Sequence, residues 1–166
     1  MDVSKDKRTD FVLQIKTANL EDARAILDLQ KLAYASEAAI YDDYSIPPLQ
    51  QTLEEIQEQF ANHTFLKAII NGEIVGSVRA RNSQTGCLIG RLIVHPDHQN
   101  QGIGTILMKR IEEVESSTRY ELFTGSKNER NLYFYHKLGY REFRRRKVND
   151  KLTLVFLEKS AIIFTS

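Results

Sequence analysis

Apolar residues recur along the chain with two different periods, and each period predicts a different kind of element. Apolar positions at steps of three and four within 20–36 and 103–117 predict amphipathic helices. Runs such as "TFLKAII", "EIVGSVRAR" and "CLIGRLIV" are rich in β-branched residues and predict strands. Along the whole chain the pattern gives the order β-α-α-β-β-β-α-β-α-β-β. This order indicates an α/β domain with a mixed, mostly antiparallel central sheet flanked by four helices.

Turn residues and helix caps set the boundaries between these elements. The first strand is predicted over 11–15. Thr52 and Glu55 match a capping box and start the second helix. The proline pair at 47–48 excludes one continuous helix through that region, because proline lacks the N–H that a helix interior needs. The Asn-Gly pair at 71–72 lies between two apolar runs and predicts a tight hairpin.

One connection determines the topology of the sheet. The strand "CLIGRLIV" is followed by the helix over 103–117 and then by the strand "RYELFT". A strand–helix–strand unit of this kind normally joins two parallel strands by a right-handed crossover. We therefore expect one parallel pair within an otherwise antiparallel sheet.

Composition excludes several classes of function. The 166 residues suit one domain, predicted over 11–158, with a flexible lead-in over 1–10 and a tail over 159–166. A formal net charge of +1 argues against nucleic-acid binding, which requires a basic excess. No apolar run approaches the roughly 20 residues that span a bilayer, so no membrane partner is expected. The single cysteine, Cys87, and the absence of a signal-like apolar segment at the N-terminus favour a cytoplasmic protein.

Two glycines, Gly102 and Gly104, lie at the predicted start of a helix in "HPDHQNQGIGTILMKR". The first amides of a helix lack internal partners and suit an anion, and glycine lets the backbone approach a phosphate closely. The alternative is a helix-entry turn in which the glycines only relieve crowding. Thr105 stands where the P-loop needs lysine, and Leu107 stands where a dinucleotide fingerprint needs its third glycine. Both of those common phosphate loops are therefore excluded.

Two segments resemble a known family. Residues 99–104, "QNQGIG", match the pattern Q/R-x-x-G-x-G/A, and "LIVHPDHQNQGIGTILMKRIE" resembles the acetyl-CoA motif of the GNAT N-acetyltransferase superfamily. The segment "NERNLYFYHKLGY" is similar to that family's later motif, with Asn128, Tyr135 and Leu-Gly-Tyr at 138–140 in the matching places. The resemblance covers roughly 11–158 and implies a splayed parallel strand pair that forms a cofactor cleft.

The same resemblance implies acetyl-CoA as co-substrate; no metal is expected. The amides of 100–105 would hold the pyrophosphate, and the backbone of 92–94 would pair with the pantetheine arm. Asn128 and Asn131 would contact the cofactor through their side chains, although Asn128 is also suited to cap a helix. The implied cofactor-binding residues are Leu92, Ile93, Val94, Gln99, Asn100, Gln101, Gly102, Ile103, Gly104, Thr105, Asn128 and Asn131.

Acetyl transfer to an amine needs a neutral amine, a donor for the developing oxyanion and an acid for the leaving thiolate. The resemblance implies Tyr135 as the catalytic acid and the backbone N–H of Val94 as the oxyanion donor. A tyrosine in a buried helix is otherwise an ordinary core residue. The base stays open, because Phe123 stands where some relatives carry glutamate. Glu121 on the same strand and a water chain are the two alternatives.

The segment "YASEAAIYDDYSIPPLQQ" between the first two helices would, by the resemblance, wall the acceptor pocket. Its residues Tyr41, Asp42, Asp43 and Tyr44 could receive a cationic amine through charge and aromatic contacts. The alternative is a solvated acidic loop.

Two charged clusters carry weaker signals. The cluster of His95, Asp97 and His98 offers two histidines but no third well-placed metal ligand. This favours a solvated loop over a metal site. The basic run 144–147 indicates either the protected edge of a sheet or a site for an anionic substrate or partner.

The resemblance thus implies an N-acetyltransferase that moves an acetyl group from acetyl-CoA to a primary amine of a small molecule or peptide. Transfer would proceed by direct attack within a ternary complex. Two alternatives stay open: a non-catalytic acyl-CoA-binding sensor or subunit with this fold, and transfer of a longer acyl group. Retention of Tyr135 favours an enzyme. A homodimer is compatible with this prediction, and no nucleic-acid partner is expected.

Overall fold

The computed structural model describes residues 12–161, so the predicted lead-in over 1–10 and the end of the predicted tail lie outside the described residues. Within 12–161 the chain forms seven strands and five α-helices. The strands are β1 (Gln14–Thr17), β2 (Thr64–Ile70), β3 (Glu73–Ser83), β4 (Gly86–Val94), β5 (Arg119–Gly125), β6 (Arg141–Lys147) and β7 (Thr153–Ser160). The α-helices are α1 (Ala23–Tyr41), α2 (Pro47–Gln50), α3 (Leu53–Gln59), α4 (Ile103–Val114) and α5 (Glu129–Lys137).

The strands form one sheet in the order β1-β2-β3-β4-β5-β7-β6. Neighbouring strands are antiparallel except β4 and β5, which run parallel and are joined through α4. This confirms the predicted fold class, an α/β domain with a mostly antiparallel sheet and one parallel pair.

The parallel pair separates soon after it begins. The two strands are in register at two positions, Cys87 with Tyr120 and Leu88 with Glu121, so the rest of β4 has no partner on that side within the described sheet. A bulge bends β4 where it faces β3, and there Arg91 adopts a left-handed conformation with φ of 52°. The strands therefore open a cleft toward their carboxyl ends, as predicted.

Two layers of helices cover the sheet, and each buries its own cluster of apolar side chains. On one face α4 and α5 contribute Ile103, Leu107, Met108, Ile111 and Tyr135. On the other face α1 and α3 pack around Phe65 with Ala23, Ile26, Leu27 and Ile56. Phe65 and Leu66 belong to different clusters, because successive side chains of a strand point to opposite faces.

Several predicted boundaries are wrong. β1 lies further along the chain than 11–15, and Phe11 is outside the described residues. The helix predicted to end at 36 continues to Tyr41, where Asp42 ends it with a φ of 47°. An additional short helix, α2, begins at the proline pair, since proline is accepted in the first turn of a helix. The sheet is thus flanked by five α-helices rather than four within the described residues, and α4 ends at Val114.

Local signals in the sequence are confirmed. Thr52 and Glu55 form the predicted capping box, in which each side chain accepts a hydrogen bond from the other residue's backbone N–H. The turn residues at 71–72 both have positive φ, as the hairpin requires. Cys87 is packed in a strand, and burial raises the pKa of its thiol to about 11. None of the described helices is long and apolar enough to cross a bilayer.

Candidate active site

The loop before α4 presents a run of free backbone amides. From Gln99 to Thr105 no amide donates a hydrogen bond to any residue within 12–161. The first bond of the helix runs from the N–H of Ile106 to the carbonyl of Gly102, at 3.1 Å, and no side chain caps the helix start. Asn100 and Gly102 both have left-handed backbone, with φ of 61° and 82°. We call the amides of 99–105 the amide cradle; turned outward at a helix N-terminus, they suit an anion.

The two glycines of the cradle have different reasons to be glycine. A Cβ on Gly102 would meet no atom within 4 Å, so its positive φ is what requires glycine. A Cβ on Gly104 would lie 3.4 Å from the ring of Phe134 on α5 and 3.9 Å from Leu92. The start of α4 is therefore packed closely against α5 and β4, and there is room for a methyl group but little more.

Arg130 on α5 also contacts the cradle, although the sequence analysis did not single it out. Its Nη1 donates to Oε1 of Gln99 at 3.1 Å, and its Nη2 donates to Oδ1 of Asn100 at 2.9 Å. The guanidinium both fixes the loop and places a positive charge beside the amides. An exposed arginine next to a motif gave no periodic signal that could have identified it.

A groove of about 400 Å³ runs between α4 and α5, beginning at Thr105 of the cradle. Its lining includes three lysines, Lys109, Lys137 and Lys159. Lys159 is paired with Glu112, at 3.0 Å. A groove that begins at an anion-binding loop and carries lysines is suited to a ligand with several negative charges.

On the other side of the cradle, β4 turns one backbone edge toward the cleft. The N–H of His95 donates to the carbonyl of Val75 at 2.7 Å, which fixes the direction of the strand's last amides. Because successive backbone groups of a strand point in opposite directions, the N–H of Val94 points into the cleft. The predicted strand residues Leu92, Ile93 and Val94 thus lie along the opening between β4 and β5.

Asn128 is a helix cap that also contacts α1. Its Oδ1 accepts from the N–H of Asn131 at 3.0 Å, and its Nδ2 donates to Oε2 of Glu37 at 2.5 Å. The side chain of Asn131 donates to Oγ1 of Thr124 at 3.2 Å. Both asparagines therefore lie at the carboxyl end of β5, beside the cleft, and their contacts with a cofactor stay predictions.

Tyr135 lies on the inner face of α5 and is 8% exposed. Its hydroxyl makes no hydrogen bond with the residues of 12–161. Burial raises its pKa above the ordinary value, and the nearby Tyr34 and Glu37 add to the shift. The phenol is thus protonated at neutral pH and free to donate a hydrogen bond.

The inner face of α1 carries a polar stripe that the sequence analysis missed. Gln30, Tyr34, Glu37 and Tyr41 follow one another at steps of four, three and four, which places them on one side of the helix. Glu37 is half-buried, and burial raises the pKa of its carboxyl while the bond from Asn128 opposes the shift. The helical spacing could have revealed this stripe, but the predicted end at 36 excluded Glu37.

The residues predicted to receive an amine occupy two different environments. Tyr41 is buried, and its hydroxyl accepts from the N–H of Lys127 at 3.1 Å. Asp42 and Tyr44 are exposed. Asp43 accepts from the N–H of Ser45 at 2.9 Å and from its hydroxyl at 2.5 Å, which lowers the pKa of the carboxyl. Their contact with an acceptor stays a prediction.

Glu121, the alternative base on β5, already has a partner. Arg119 donates to Oε1 of Glu121 at 2.9 Å and to Oε2 of Glu158 at 2.8 Å. The Glu121 carboxylate is thus held in an ion pair with Arg119. Phe123, two residues on, is 59% exposed.

Neither of the two charged clusters lines the groove between α4 and α5. Nδ1 of His95 accepts from the N–H of Asp97 at 3.0 Å, and no group of three metal-ligating side chains occurs between residues 12 and 161. The run 144–147 lies on the exposed edge strand β6, where Arg144 and Arg146 lie over the ring of Phe156, 4.1 and 5.6 Å from its centroid.

The fold, the open strand pair and the amide cradle agree with a comparison of the sequence with known families. Residues 25–140 match the Acetyltransferase (GNAT) family. The chain belongs to this family.

Two curated relatives are similar to the chain. UPF0157 protein YqkA of Bacillus subtilis (strain 168) is 32% identical over 134 residues, which cover 78% of this chain and 37% of that protein. The chain thus spans well under half the length of this relative. The L-amino acid N-acyltransferase MnaT of Escherichia coli (strain K12) is 25% identical over 136 residues, covering 77% of this chain and 79% of MnaT.

A solved structure supports the fold. The structure of yncA from Salmonella typhimurium with its cofactor acetyl-CoA superposes on this chain with a TM-score of 0.70 at 20% sequence identity. The match covers 93% of this chain and 97% of that one.

Proposed function

We propose that the protein is an N-acetyltransferase that moves an acetyl group from acetyl-CoA to a primary amine of a small molecule or peptide. The observation that carries this proposal is the amide cradle, which lies beside the opened strand pair and has no partner within 12–161. Membership of the GNAT family and a similar structure that contains acetyl-CoA support the choice of donor.

The residues present fit acetyl-CoA. The amides of the cradle would hold the pyrophosphate, Arg130 would add charge there, and the lysines of the groove suit the remaining phosphate. The backbone of 92–94 would align the pantetheine arm along the cleft. Bound in this way, acetyl-CoA supplies a thioester as the acetyl donor. The side-chain contacts assigned to Asn128 and Asn131 are part of this proposal.

We assign proton removal from the amine to Glu37. An alkylammonium has an ordinary pKa of about 10.4, so it must lose a proton before it can attack a carbonyl carbon. Oε2 of Glu37 is taken by Asn128, while Oε1 has no hydrogen-bond partner among the described residues and is left for the substrate. Burial raises the pKa of this carboxyl, which makes it a stronger base than an exposed glutamate.

Tyr135 and Val94 complete the proposed chemistry. The backbone N–H of Val94 points into the cleft and would donate to the oxyanion that forms when the amine attacks the thioester carbonyl. The buried phenol of Tyr135 would then donate its proton to the departing thiolate, and the second proton, lost by the nitrogen as the amide forms, would return to the phenolate. Attack, oxyanion binding and protonation would take place in one ternary complex, without an acyl-enzyme intermediate.

Two measurements test the proposal. Acetyl-CoA should raise the melting temperature, because a ligand that binds the folded state stabilises it by mass action. Thiol release from acetyl-CoA, measured across amino acids, polyamines, aminoglycosides and peptide N-termini, should be accelerated by at least one class. A melting shift without turnover of any amine would contradict the enzyme and favour an acyl-CoA sensor. No shift at millimolar acetyl-CoA would overturn the donor assignment.

The cytoplasmic location and the homodimer stay predictions. Cell fractionation tests the first, and light scattering of the purified protein tests the second. Comparing acetyl-CoA with longer acyl-CoA donors tests the alternative of a longer acyl group.

A further inference from the structure

Two arginines lie side by side on β3 and β4, at the edge of the cleft. Arg79 is paired in register with Gly90, one position before Arg91 in the bulge of β4. Both side chains are largely withdrawn from solvent, and within 12–161 neither has a carboxylate within 4 Å. Their partners are neutral: Arg79 donates to Oε1 of Gln59, and Arg91 lies over the ring of Tyr34, 5.7 Å from its centroid.

Arg91 has a buried donor without a partner. Its Nη1 is shielded from solvent and makes no hydrogen bond in the described part of the chain. A buried donor at a charged group that stays unpaired destabilises the fold, so native proteins normally provide an acceptor. Burial lowers the pKa of Arg79 to about 10, and the neighbouring Arg91 adds to the shift. Both groups still carry charge at neutral pH, so the pair is a concentrated positive charge that lacks an anion.

The arginine pair faces away from the amide cradle. Leu92, the next residue after Arg91, points toward Gly104 at the start of α4. Arg91 instead points toward Tyr34 on α1, which covers the opposite face of the sheet. An anion bound there would not be the pyrophosphate of the donor.

The pair is close to the proposed base. Tyr34 and Glu37 lie one helical turn apart on the inner face of α1. Glu37 contacts Asn128 at the far side of the cleft, and Tyr34 contacts Arg91 at the near side. An acceptor whose amino group meets Glu37 and which extends about one helical turn along α1, roughly 5 Å, would bring an anionic group to the side of Tyr34 on which Arg91 lies.

We propose that Arg91, supported by Arg79, binds a carboxylate of the acetyl acceptor. The acceptor is then a small amino acid or similar compound in which an amino group and a carboxylate lie a few bonds apart. A guanidinium matches a carboxylate with two parallel hydrogen bonds, and the unpaired Nη1 supplies one of these donors. This inference rests on the proposed function, because it names the substrate class of the same site.

The first test compares matched acceptors on the unaltered protein. Each L-amino acid in a panel is assayed beside its α-amide, which keeps the amine and removes the negative charge. The amino acids should have a kcat/KM at least tenfold higher than their amides. Equal values would overturn the carboxylate site and leave the acetyltransferase standing, whereas turnover of neither class would contradict the proposed function itself.

The second test uses variants of the pair. Arg91→Gln and Arg79→Gln should bring the ratio of kcat/KM for amino acid over amide toward one, mainly through a higher KM for the amino acid. Arg91→Lys should keep part of the preference, since it keeps the charge but loses the paired donors. The control is Arg81→Gln, which changes an exposed arginine on β3, the strand that also carries Arg79. This variant should keep the ratio. An unchanged ratio in both glutamine variants would overturn the proposal.

A third measurement needs no turnover and guards against variants that fold poorly. An N-acetylated amino acid, the expected product, should raise the melting temperature of the unaltered protein more than its amide does. The rise in melting temperature that acetyl-CoA causes in each variant shows whether the variant is folded and binds the donor. Equal shifts from the acid and the amide would contradict a carboxylate site.

Discussion

The amide cradle and the inner face of α1 lie on two sides of one cleft but are built in opposite ways. The cradle consists of backbone amides within seven consecutive positions, 99–105, and its shape depends on two left-handed residues. The inner face of α1 depends on side chains that meet residues of β3, β4 and α5, far away in the chain. The donor side is thus local and insensitive to most side chains, while the acceptor side is non-local and depends on each of them.

This difference predicts which substitutions should affect donor binding and which should affect only acetyl transfer. Bulk or charge at the cradle should remove donor binding, because backbone amides cannot move away from a side chain that fills their concave face. Single polar substitutions on α1 should leave donor binding intact and alter only transfer. The predictions that follow test this separation, beginning with the largest effect.

Gly104→Glu is expected to abolish acetyl-CoA binding. A Cβ at this position would lie 3.4 Å from the ring of Phe134, so the glutamate would crowd the start of α4 and add a negative charge beside the amides proposed to hold the pyrophosphate. The rise in melting temperature that acetyl-CoA produces should disappear. In the unaltered protein this rise reflects about 2.7 kcal/mol of stabilisation when the ligand is at about 100 times its Kd. Gly104→Ala is the matched control and should keep most of the shift. A full shift in the glutamate variant would show that the cradle does not hold the donor.

Glu37→Gln is expected to lower kcat/KM by about 10²–10⁴ near neutral pH, the usual contribution of a general base. Glutamine keeps an oxygen that can accept the hydrogen bond from Asn128, so the helix contact survives. Donor binding, measured by the melting shift, should not change. A kcat/KM within threefold of the unaltered protein would remove Glu37 as the base and favour a water chain.

The pH dependence sharpens this prediction. A base must be ionised, so kcat/KM should fall as the pH drops through the pKa of Glu37, which lies above the ordinary value of 4.5. This fall in kcat/KM at low pH should be absent in Glu37→Gln. A carboxyl with a raised folded-state pKa favours the folded state at low pH and loses this contribution as the pH rises through that pKa. The variant should therefore be no less stable than the unaltered protein at neutral pH, and thermal melts at two pH values check this.

The same contrast explains how much could be predicted from the sequence. The order of the strands along the chain, the parallel pair and the glycine-containing start of α4 follow from local signals: apolar periodicity, the hairpin at 71–72 and the glycines at 102 and 104. Glu37 and the pair Arg79 and Arg91 were missed because their roles depend on packing between distant elements. Paired prolines at 47–48 predict a break, but the end of α1 is set by a left-handed Asp42, for which single-sequence patterns give little warning.

Tyr135→Phe is expected to lower kcat by about a hundredfold, the lower end of the usual contribution of a positioned acid, while the Kd for acetyl-CoA changes little. The hydroxyl has no hydrogen-bond partner within 12–161, so its removal should also cost little stability. The control is Tyr133→Phe on the same helix, where the ring is 68% exposed. Steady-state kinetics and the acetyl-CoA melting shift of both variants provide the comparison. Equal kcat values for the two would leave Tyr135 as a core residue only.

Arg130→Gln is expected to have the smallest effect, because it removes one exposed charge and leaves the cradle's amides in place. Its guanidinium bonds to the side chains of Gln99 and Asn100, so its loss should weaken acetyl-CoA binding about threefold to tenfold, or roughly 0.7–1.4 kcal/mol. The loss should shrink at high salt, since screening weakens an exposed charge. Arg141→Gln, an exposed arginine on β6, is the matched control. A salt-independent loss would instead assign Arg130 the purely structural task of holding the loop.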